Sequence, residues 1–269
     1  MEVFISGLII GLTLIIAIGP QNLFVIQQGL KKSYVFTVCL ICSLIVSTAA
    51  VSLRDQQKEN KLNDRRIKIL QVADIYNPAI SIAEQFQSLE SKFVDFDSGM
   101  ILDEYQNFNL EEYDQVLVTK DKSMSTKVPS SDDIAVIKNR ENIGKIYLLR
   151  DELKNIDKII LPIRGYGLWG TLYGYISIEN DFNTISGIEF YDHKETPGLG
   201  AEVDNPKWKS LWKGKKIYKD NDVTFKVIKG KVENDDKLAL YKVDGLSGAT
   251  ITSRGVSNMV EYWFGDSGY

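Results

Sequence analysis

Charged residues are almost absent from the first 53 positions of this 269-residue chain. Of its 32 basic and 36 acidic residues, only Glu2, Lys31 and Lys32 lie there, and the remainder has the charge density of a solvated domain. This division predicts a membrane-anchored soluble domain. The apolar start argues against a wholly cytosolic enzyme, and the lack of a long apolar run after Leu53 argues against a multi-span transporter.

The membrane anchor is predicted at residues 33–53, because no charged residue occurs from 34 to 53. About 20 helical residues cross the hydrocarbon core of a bilayer, so this run is long enough by itself. Lys31 and Lys32 precede the run, and basic residues favour the cytoplasmic side. The rest of the chain is therefore predicted to lie outside the cytoplasm. A signal peptide cleaved near residues 47–50 is the alternative.

Residues 1–32 form a separate hydrophobic segment. Positions 7–30 resemble the first helix of the LysE-type amino-acid exporters. Such exporters are polytopic, whereas no other part of this chain resembles their remaining helices. We interpret residues 1–32 as a fusion, a rearranged gene start or a joined reading frame, which would add an arm to a hydrophobic hairpin. Amino-acid export by this chain is not expected.

Composition excludes several kinds of site. The chain has a formal net charge of −4, whereas a nucleic-acid partner would require a basic surface. Cys39 and Cys42 are the two cysteines, and both lie in the apolar run, which excludes a disulfide scaffold. Their C-x-x-C spacing lacks the βαβ setting of a redox motif. No metal site is predicted.

Residues 54–130 are predicted to contain a stalk and a variable region. Positions 54–72 are polar with spaced apolar residues, which suits a helix that leaves the membrane. Asn77 and Pro78 interrupt this pattern, and helical spacing returns over 80–93. The following acidic stretch has poor periodicity and is expected to be a solvated insertion. It lacks the spacing and central glycine of a calcium-binding loop.

Residues 131–269 are predicted to form an antiparallel sheet closed by a C-terminal helix, which makes the fold class α+β. The spacing of Val256, Met259, Val260 and Trp263 is typical of an amphipathic helix. Turn-forming residues separate the apolar segments of the sheet. The predicted strands are 134–137, 143–149, 159–163, 171–178, 185–191 and 223–227.

The segment 244–253, with the sequence DGLSGATITS, carries the strongest chemical signal. Its glycines allow the backbone to approach a ligand closely, and Thr252 or Ser253 is placed to cap the closing helix. Backbone N–H groups and the helix dipole favour an anion there, so a phosphate is the expected ligand. A capped helix behind a glycine turn is also a common structural feature, and both interpretations stay open on the residues alone.

This segment resembles the flavinylation motif of FMN-binding domains in sodium-pumping NADH:quinone oxidoreductases and in the related Rnf electron-transfer complexes. In that family, a flavin transferase esterifies a threonine hydroxyl to the phosphate of FMN. The resemblance implies that Thr250 is the acceptor, with Thr252 as the fallback. The other residues of this motif expected to contact the cofactor are Ser247, Gly248, Ala249 and Ser253.

Two further stretches narrow the resemblance to the NqrC family, whose members are one of the subunits of the sodium pump. Residues 162–175 are similar to its glycine-rich, tryptophan-containing strand pair, and 193–202 are similar to its ETPGLG loop. Glycines leave room for a planar ring, and apolar side chains can form its walls. The cofactor-binding residues expected from these stretches are Leu168, Trp169, Gly170, Thr171, Tyr173, Glu195, Thr196, Gly198, Leu199 and Gly200.

The charged neighbours of these stretches have less specific interpretations. Glu195 or Glu202 is expected to hold the ETPGLG loop in place. Arg164 is a candidate partner of a flavin phosphate or an anionic semiquinone, with a solvated surface arginine as the alternative. His193 is the only histidine, and a surface or hydrogen-bonding role is favoured for it.

The resemblance covers about residues 32–269 and implies an FMN-binding domain at 131–269 behind a transmembrane helix or hairpin. It implies covalent FMN, electron relay among the subunits of a bacterial inner-membrane reductase, and a periplasmic location. A Rossmann fingerprint is missing, which fits a chain without its own NADH site. The alternatives are an Rnf-type subunit and a non-redox module that retains the fold. The Trp169 segment and the stalk at 53–70 favour the sodium pump.

Overall fold

The computed structural model describes residues 35–105, 108–110 and 113–269, so the segment 1–32 lies outside the described residues. By its internal contacts the chain divides into one unit that ends at Leu62 and a second unit, Asn63–Tyr269. The helices are α1 (Val35–Ser52), α2 (Arg54–Val72), α3 (Ile82–Phe86), α4 (Gln115–Val118), α5 (Pro206–Ser210) and α6 (Thr250–Phe264), with 3-10 turns at Gly200–Asp204 and Ala239–Tyr241.

The first unit contains α1 and the beginning of α2. From Cys39 onward α1 exposes its apolar side chains, including Leu44 and Val51, and both cysteines are free thiols. No single helix in the described ranges is long and apolar enough to span a membrane. Only the pair α1 and α2, taken together, has the length and apolar composition of a candidate span, and the pair is bent by 48° at the break between the two helices. The single-helix anchor therefore stays a prediction.

The second unit is built on a six-stranded antiparallel sheet in the order β2-β1-β5-β6-β7-β8. Its last four strands follow each other along the chain, which confirms the predicted antiparallel sheet. Three two-stranded ladders accompany it, and one of them, β11 with β12, is parallel. The strands are β1 (Leu89–Asp95), β2 (Ile101–Leu102), β3 (Ser125–Lys127), β4 (Asn139–Glu141), β5 (Ile143–Arg150), β6 (Ile156–Tyr166), β7 (Thr171–Glu179), β8 (Ile185–Asp192), β9 (Tyr218–Lys219), β10 (Asp222–Val223), β11 (Lys226–Val227) and β12 (Lys242–Val243).

The two faces of the sheet are covered by different helices. The end of α2 buries Ile69 and Leu70 against Tyr147 and Tyr175 on one face. Helix α6 covers the other face, and Val256, Met259, Val260 and Trp263 are all fully buried there. The predicted closing helix is therefore confirmed, and α2 coincides with the helix predicted over 54–72.

Helix α6 lies against β6 at very short range. A Cβ atom added at Gly255 would lie 2.3 Å from the Tyr166 carbonyl oxygen, and one added at Gly165 would lie 2.7 Å from Met259 Cβ. Only glycine allows backbones to approach this closely. The contact between Gly255 and Tyr166 places the first turns of α6 beside the turn that follows β6.

Two predicted strands are wrong. Residues 134–137 form a turn, because the Asp133 carboxylate accepts hydrogen bonds from the N–H groups of Ile137 and Lys138 at 2.7 and 2.8 Å. Such side-chain acceptors compete with a strand ladder. Residues 223–227 are divided between β10 and β11, because the N–H groups of Thr224 and Phe225 both donate to the Ile217 carbonyl.

The helix predicted over 80–93 is also wrong in its second half. Helix α3 ends at Phe86, and β1 pairs with β5 over seven residues. Leu89 and Phe93 are both buried, and a separation of four fits either a helix or one face of a strand. The acidic segment that follows is partly packed, since the buried Tyr113 contacts Phe93 and donates a hydrogen bond to the Ile143 carbonyl at 2.5 Å.

Arg164 belongs to the core of the sheet, which corrects both interpretations made from sequence. Its guanidinium donates two hydrogen bonds to the Glu141 carboxylate, at 3.0 and 2.5 Å, and lies over the Trp263 ring. Both charged side chains are buried. Burial alone would lower the pKa of Arg164, but the neighbouring carboxylate raises it above its ordinary value.

We predict that Glu141→Ala lowers the free energy of unfolding by about 3–5 kcal/mol, because it leaves a buried guanidinium without its carboxylate partner. The matched control is Glu90→Ala, which removes a partly exposed carboxylate that pairs with Arg150 and Lys92 and should cost about 1 kcal/mol or less. Denaturant unfolding of the full chain in detergent, followed by tryptophan fluorescence, measures both. Equal losses in the two variants would contradict this account of the core.

Candidate functional site

Three segments of the second unit meet at the carboxylate of Glu195. Its Oε1 atom accepts hydrogen bonds from the backbone N–H groups of Leu168 and Trp169, at 3.0 and 2.9 Å. Its Oε2 atom accepts one from the Thr252 hydroxyl at 2.5 Å. Glu195 is only 5% exposed. The turn after β6, the ETPGLG loop and the first turn of α6 are thus joined by one buried anion.

Glycines surround this carboxylate because no side chain would fit. A Cβ atom at Gly167 would lie 2.6 Å from Glu195 Oε1, and one at Gly200 would lie 2.5 Å from Oε2. The Gly167 N–H also donates to the Gly170 carbonyl at 2.8 Å, which closes the turn. Gly167 of one sequence motif and Gly200 of the other therefore have a common physical cause.

The beginning of α6 differs from the prediction. Thr250 is the first helical residue, Ala249 occupies the N-cap position, and no side chain caps the helix. Thr252 and Ser253 lie inside the first turn and bond elsewhere, so neither is the predicted cap. The Ser253 hydroxyl accepts from the Leu246 N–H at 2.9 Å and donates to the Ala249 carbonyl at 3.1 Å. A helix N-terminus without a side-chain cap suits an anionic ligand.

The two candidate acceptor hydroxyls have opposite surroundings. Thr250 is exposed, whereas Thr252 is fully buried and its hydroxyl is bonded to Glu195. Ser247 and Gly248 beside them lie between Leu246 and the helix start, and Ser247 is exposed. Gly248 has a φ of +71°, and a Cβ atom there would lie 2.9 Å from the Leu199 side chain. The ETPGLG loop therefore packs directly against the DGLSGATITS segment.

Apolar side chains around the Glu195 carboxylate point to solvent. Trp169 is 63% exposed, and Leu168, Leu199 and Ile251 are also exposed. Beside Trp169 lies a cleft of about 310 Å³. Its lining combines four predicted residues, Trp169, Gly170, Thr171 and Tyr173, with three that the sequence analysis missed, Tyr166, Asp192 and Lys194.

The three missed residues are placed by strand pairing. Tyr166 of β6 lies opposite Thr171 of β7. Tyr173 of β7 lies opposite Asp192 of β8, and Lys194 follows two positions later. An antiparallel register between 171–178 and 185–191 would have indicated this neighbourhood, but sequence alone does not fix the register. The predicted residues Thr196 and Gly198 shape the loop. The Thr196 carbonyl accepts from the N–H groups of Leu199 and Ala201.

The other charged candidates have supporting positions. His193 bonds through Nε2 to Asp204 at 2.8 Å, and its Nδ1 accepts the Glu195 N–H at 3.2 Å, which confirms the favoured hydrogen-bonding role. Glu202 accepts from the Asn205 side chain at 2.6 Å. Among the described residues, no group of three or more His, Cys, Asp or Glu side chains could hold a metal ion.

The arrangement fits a ligand that carries both a phosphate and a planar ring. The uncapped start of α6 can receive the anion, and the exposed Thr250 hydroxyl lies there. Trp169, Leu168 and the neighbouring cleft offer apolar surface and space for a ring.

Comparisons with known proteins agree with this geometry. Residues 167–265 match the family model of the FMN-binding domain. The NqrC subunit of the Na+-translocating NADH-quinone reductase of Pseudomonas aeruginosa is 44% identical, over 86% of this chain and 89% of that protein. The chain belongs to the NqrC family of this oxidoreductase complex. The same subunit of Vibrio vulnificus is also 44% identical, over 90% of this chain and 94% of its own.

Solved structures of the NqrC family share the fold. The crystal structure of Shewanella oneidensis NqrC is 33% identical, with a TM-score of 0.71, and the match covers 78% of this chain and 94% of that one. NqrC from Parabacteroides distasonis is 30% identical, with a TM-score of 0.58, over 78% and 92% of the two chains. The α+β fold with an antiparallel sheet and a C-terminal helix is thus confirmed, and membership of the NqrC family argues against the Rnf-type alternative.

We predict different stability effects at the two threonines. Thr252→Val should lower the free energy of unfolding by about 1–3 kcal/mol, because it leaves a buried carboxylate oxygen without a donor. Thr250→Val should change it by about 0.5 kcal/mol or less, because the side chain is exposed. Denaturant unfolding of both full-length variants without flavin tests this difference. A loss at Thr250 as large as at Thr252 would contradict the described geometry.

Proposed function

We propose that this chain carries FMN for electron transfer in a Na+-translocating NADH-quinone reductase, with the cofactor joined to Thr250 by a phosphoester. The observation that carries the proposal is the contrast between an exposed Thr250 at the uncapped start of α6 and a buried, hydrogen-bonded Thr252. The names of the relatives, the FMN-binding domain match and the DGLSGATITS segment support the same assignment.

Attachment requires an activated donor, because a hydroxyl does not condense readily with a free phosphate monoester in water. A flavin transferase would present the FMN phosphoryl group as a phosphoanhydride. The Thr250 oxygen would form the new bond to phosphorus as the anhydride bond breaks. The other half of the donor, which is AMP when flavin adenine dinucleotide is used, would leave with the bridging oxygen, and the hydroxyl proton would pass to water. The first-turn N–H groups of α6 favour the phosphate charge during this transfer.

The remaining residues of the site position the ring. Trp169, Leu168 and Leu199 provide apolar contact surface, and the cleft lined by Thr171 and Tyr173 provides space beside it. When bound, the flavin supplies the redox chemistry, and the protein sets its orientation and surroundings. Other subunits of the reductase would deliver and remove the electrons and hold the NADH and quinone sites.

A bilayer anchor is part of the proposal. From Cys39 onward the apolar side chains of α1 are exposed, and 34–53 is a long uncharged run. Lys31 and Lys32 before this run favour a cytoplasmic N-terminal side. The FMN-binding domain would then face the periplasm of a bacterial inner membrane, where a covalent tether prevents loss of the cofactor.

We predict that co-expression of the full chain with a flavin transferase adds one FMN, and that Thr250→Ala abolishes the adduct. Thr252→Ser should retain it, because serine keeps the hydroxyl bond to Glu195. Intact mass and flavin fluorescence in denaturing gels measure the adduct. Labelling of Thr250→Ala at the wild-type level would contradict Thr250 as the acceptor. No adduct on the wild-type chain would favour the non-redox module.

We predict that alkaline phosphatase fused after Tyr269 is active, because phosphatase folds only outside the cytoplasm. A green fluorescent protein at the same position should stay dark. Replacing Lys31 and Lys32 by glutamate should reduce phosphatase activity, since basic residues favour cytoplasmic retention. A bright fluorescent fusion with inactive phosphatase would contradict the proposed orientation.

A further inference from the structure

We propose that Glu195 is the positioning residue for flavin attachment. Before any flavin is present, Glu195 turns the Thr250 hydroxyl outward and holds the turn after β6 in place. This role rests on the proposed function. It gives one side chain the task of assembling the acceptor site from three separate segments.

The bonds to Glu195 bridge parts of the chain that are far apart in sequence. Leu168 and Trp169 belong to the turn after β6, and Thr252 belongs to α6. All three donors meet a carboxylate, and hydrogen bonds to a charged acceptor are stronger than neutral ones. The segments are therefore fixed relative to one another by the position of two oxygen atoms.

The bond to Thr252 sets the rotation of the first turn of α6. Successive residues of an α-helix are about 100° apart around its axis, so residues two apart lie about 200° apart. Because Thr252 points inward to Glu195, Thr250 must lie on nearly the opposite side of the helix. The burial of the two residues agrees, with Thr252 fully buried and Thr250 exposed. Glu195 thereby keeps the Thr252 hydroxyl buried and leaves the Thr250 hydroxyl exposed.

Glu195 is held at its backbone and around its side chain. His193 Nδ1 accepts the Glu195 backbone N–H, and the His193 ring is in turn bonded to Asp204. Gly167 and Gly200 line the space so closely that only the carboxylate fits between them. A side chain that orients other groups must itself be held in one rotamer, and this confinement holds Glu195 in one rotamer.

Charge and shape at Glu195 can be separated by two substitutions. In Glu195→Gln, the amide oxygen can still accept from the N–H groups of Leu168 and Trp169, and the amide nitrogen can donate to the Thr252 oxygen. In Glu195→Ala, all three bonds are lost. Displacement of a reacting group by about 1 Å can cost about 100-fold in rate, so Glu195→Ala should slow FMN transfer by about 10- to 100-fold.

The test uses the full-length chain, purified in detergent from cells without a flavin transferase. Purified transferase and flavin adenine dinucleotide, the phosphoanhydride form of FMN, are then added, and adduct formation is followed by intact mass. For Glu195→Ala we expect a lower kcat with little change in the KM for the acceptor chain. Glu195→Gln should stay within about threefold of wild type. The control Glu90→Ala removes a carboxylate of β1 that pairs with Lys92 and Arg150, and it should leave the rate unchanged.

The outcomes separate the positioning role from the proposed function. An unlabelled wild-type chain would overturn the proposed function. A labelled wild-type chain with Glu195→Ala at the same kcat would overturn the positioning role alone. If Glu195→Ala fails to show a cooperative thermal transition, Thr252→Val replaces it, since it frees the first turn of α6 but keeps the bonds to Leu168 and Trp169. A wild-type kcat for folded Thr252→Val would then overturn the positioning role.

Discussion

The site of this protein depends on a single buried carboxylate. Glu195 lies beneath an otherwise exposed surface and accepts three hydrogen bonds from two segments distant in sequence. A buried charge is tolerated only when hydrogen bonds replace its hydration. The turn after β6 and the first turn of α6 together supply these hydrogen bonds. Because the carboxylate needs both segments, it holds them in one geometry.

Four glycines are required by two close approaches. Gly255 and Gly165 allow α6 to lie against β6, which brings the helix start to the turn at 166–170. Gly167 and Gly200 then leave room for the carboxylate between that turn and the ETPGLG loop. Motifs far apart in the sequence therefore pack together at one place. This packing leaves Thr250 exposed.

Much of the fold could be predicted from the sequence, because β5–β8 are short apolar segments separated by turn-forming residues and α6 has the spacing of an amphipathic helix. Local patterns failed where another part of the chain decided the structure. A hydrogen bond to Asp133 makes 134–137 a turn, and pairing with β5 makes 89–95 a strand. The ion pair with Glu141 keeps Arg164 in the core. The motif residues around Thr250 came from family resemblance. Asp192 and Lys194 required the strand register, and the inward rotation of Thr252 required the position of Glu195.

The most direct measurement is amide hydrogen exchange at Trp169 in the flavin-free chain. Selective 15N labelling of the four tryptophans gives few signals, and Trp169→Phe identifies the one concerned. The Trp169 side chain is exposed, so protection of its amide must come from the bond to Glu195. We predict slow exchange in the wild-type chain and fast exchange in Glu195→Ala. Fast exchange in the wild-type chain would contradict a site that is assembled before the flavin arrives.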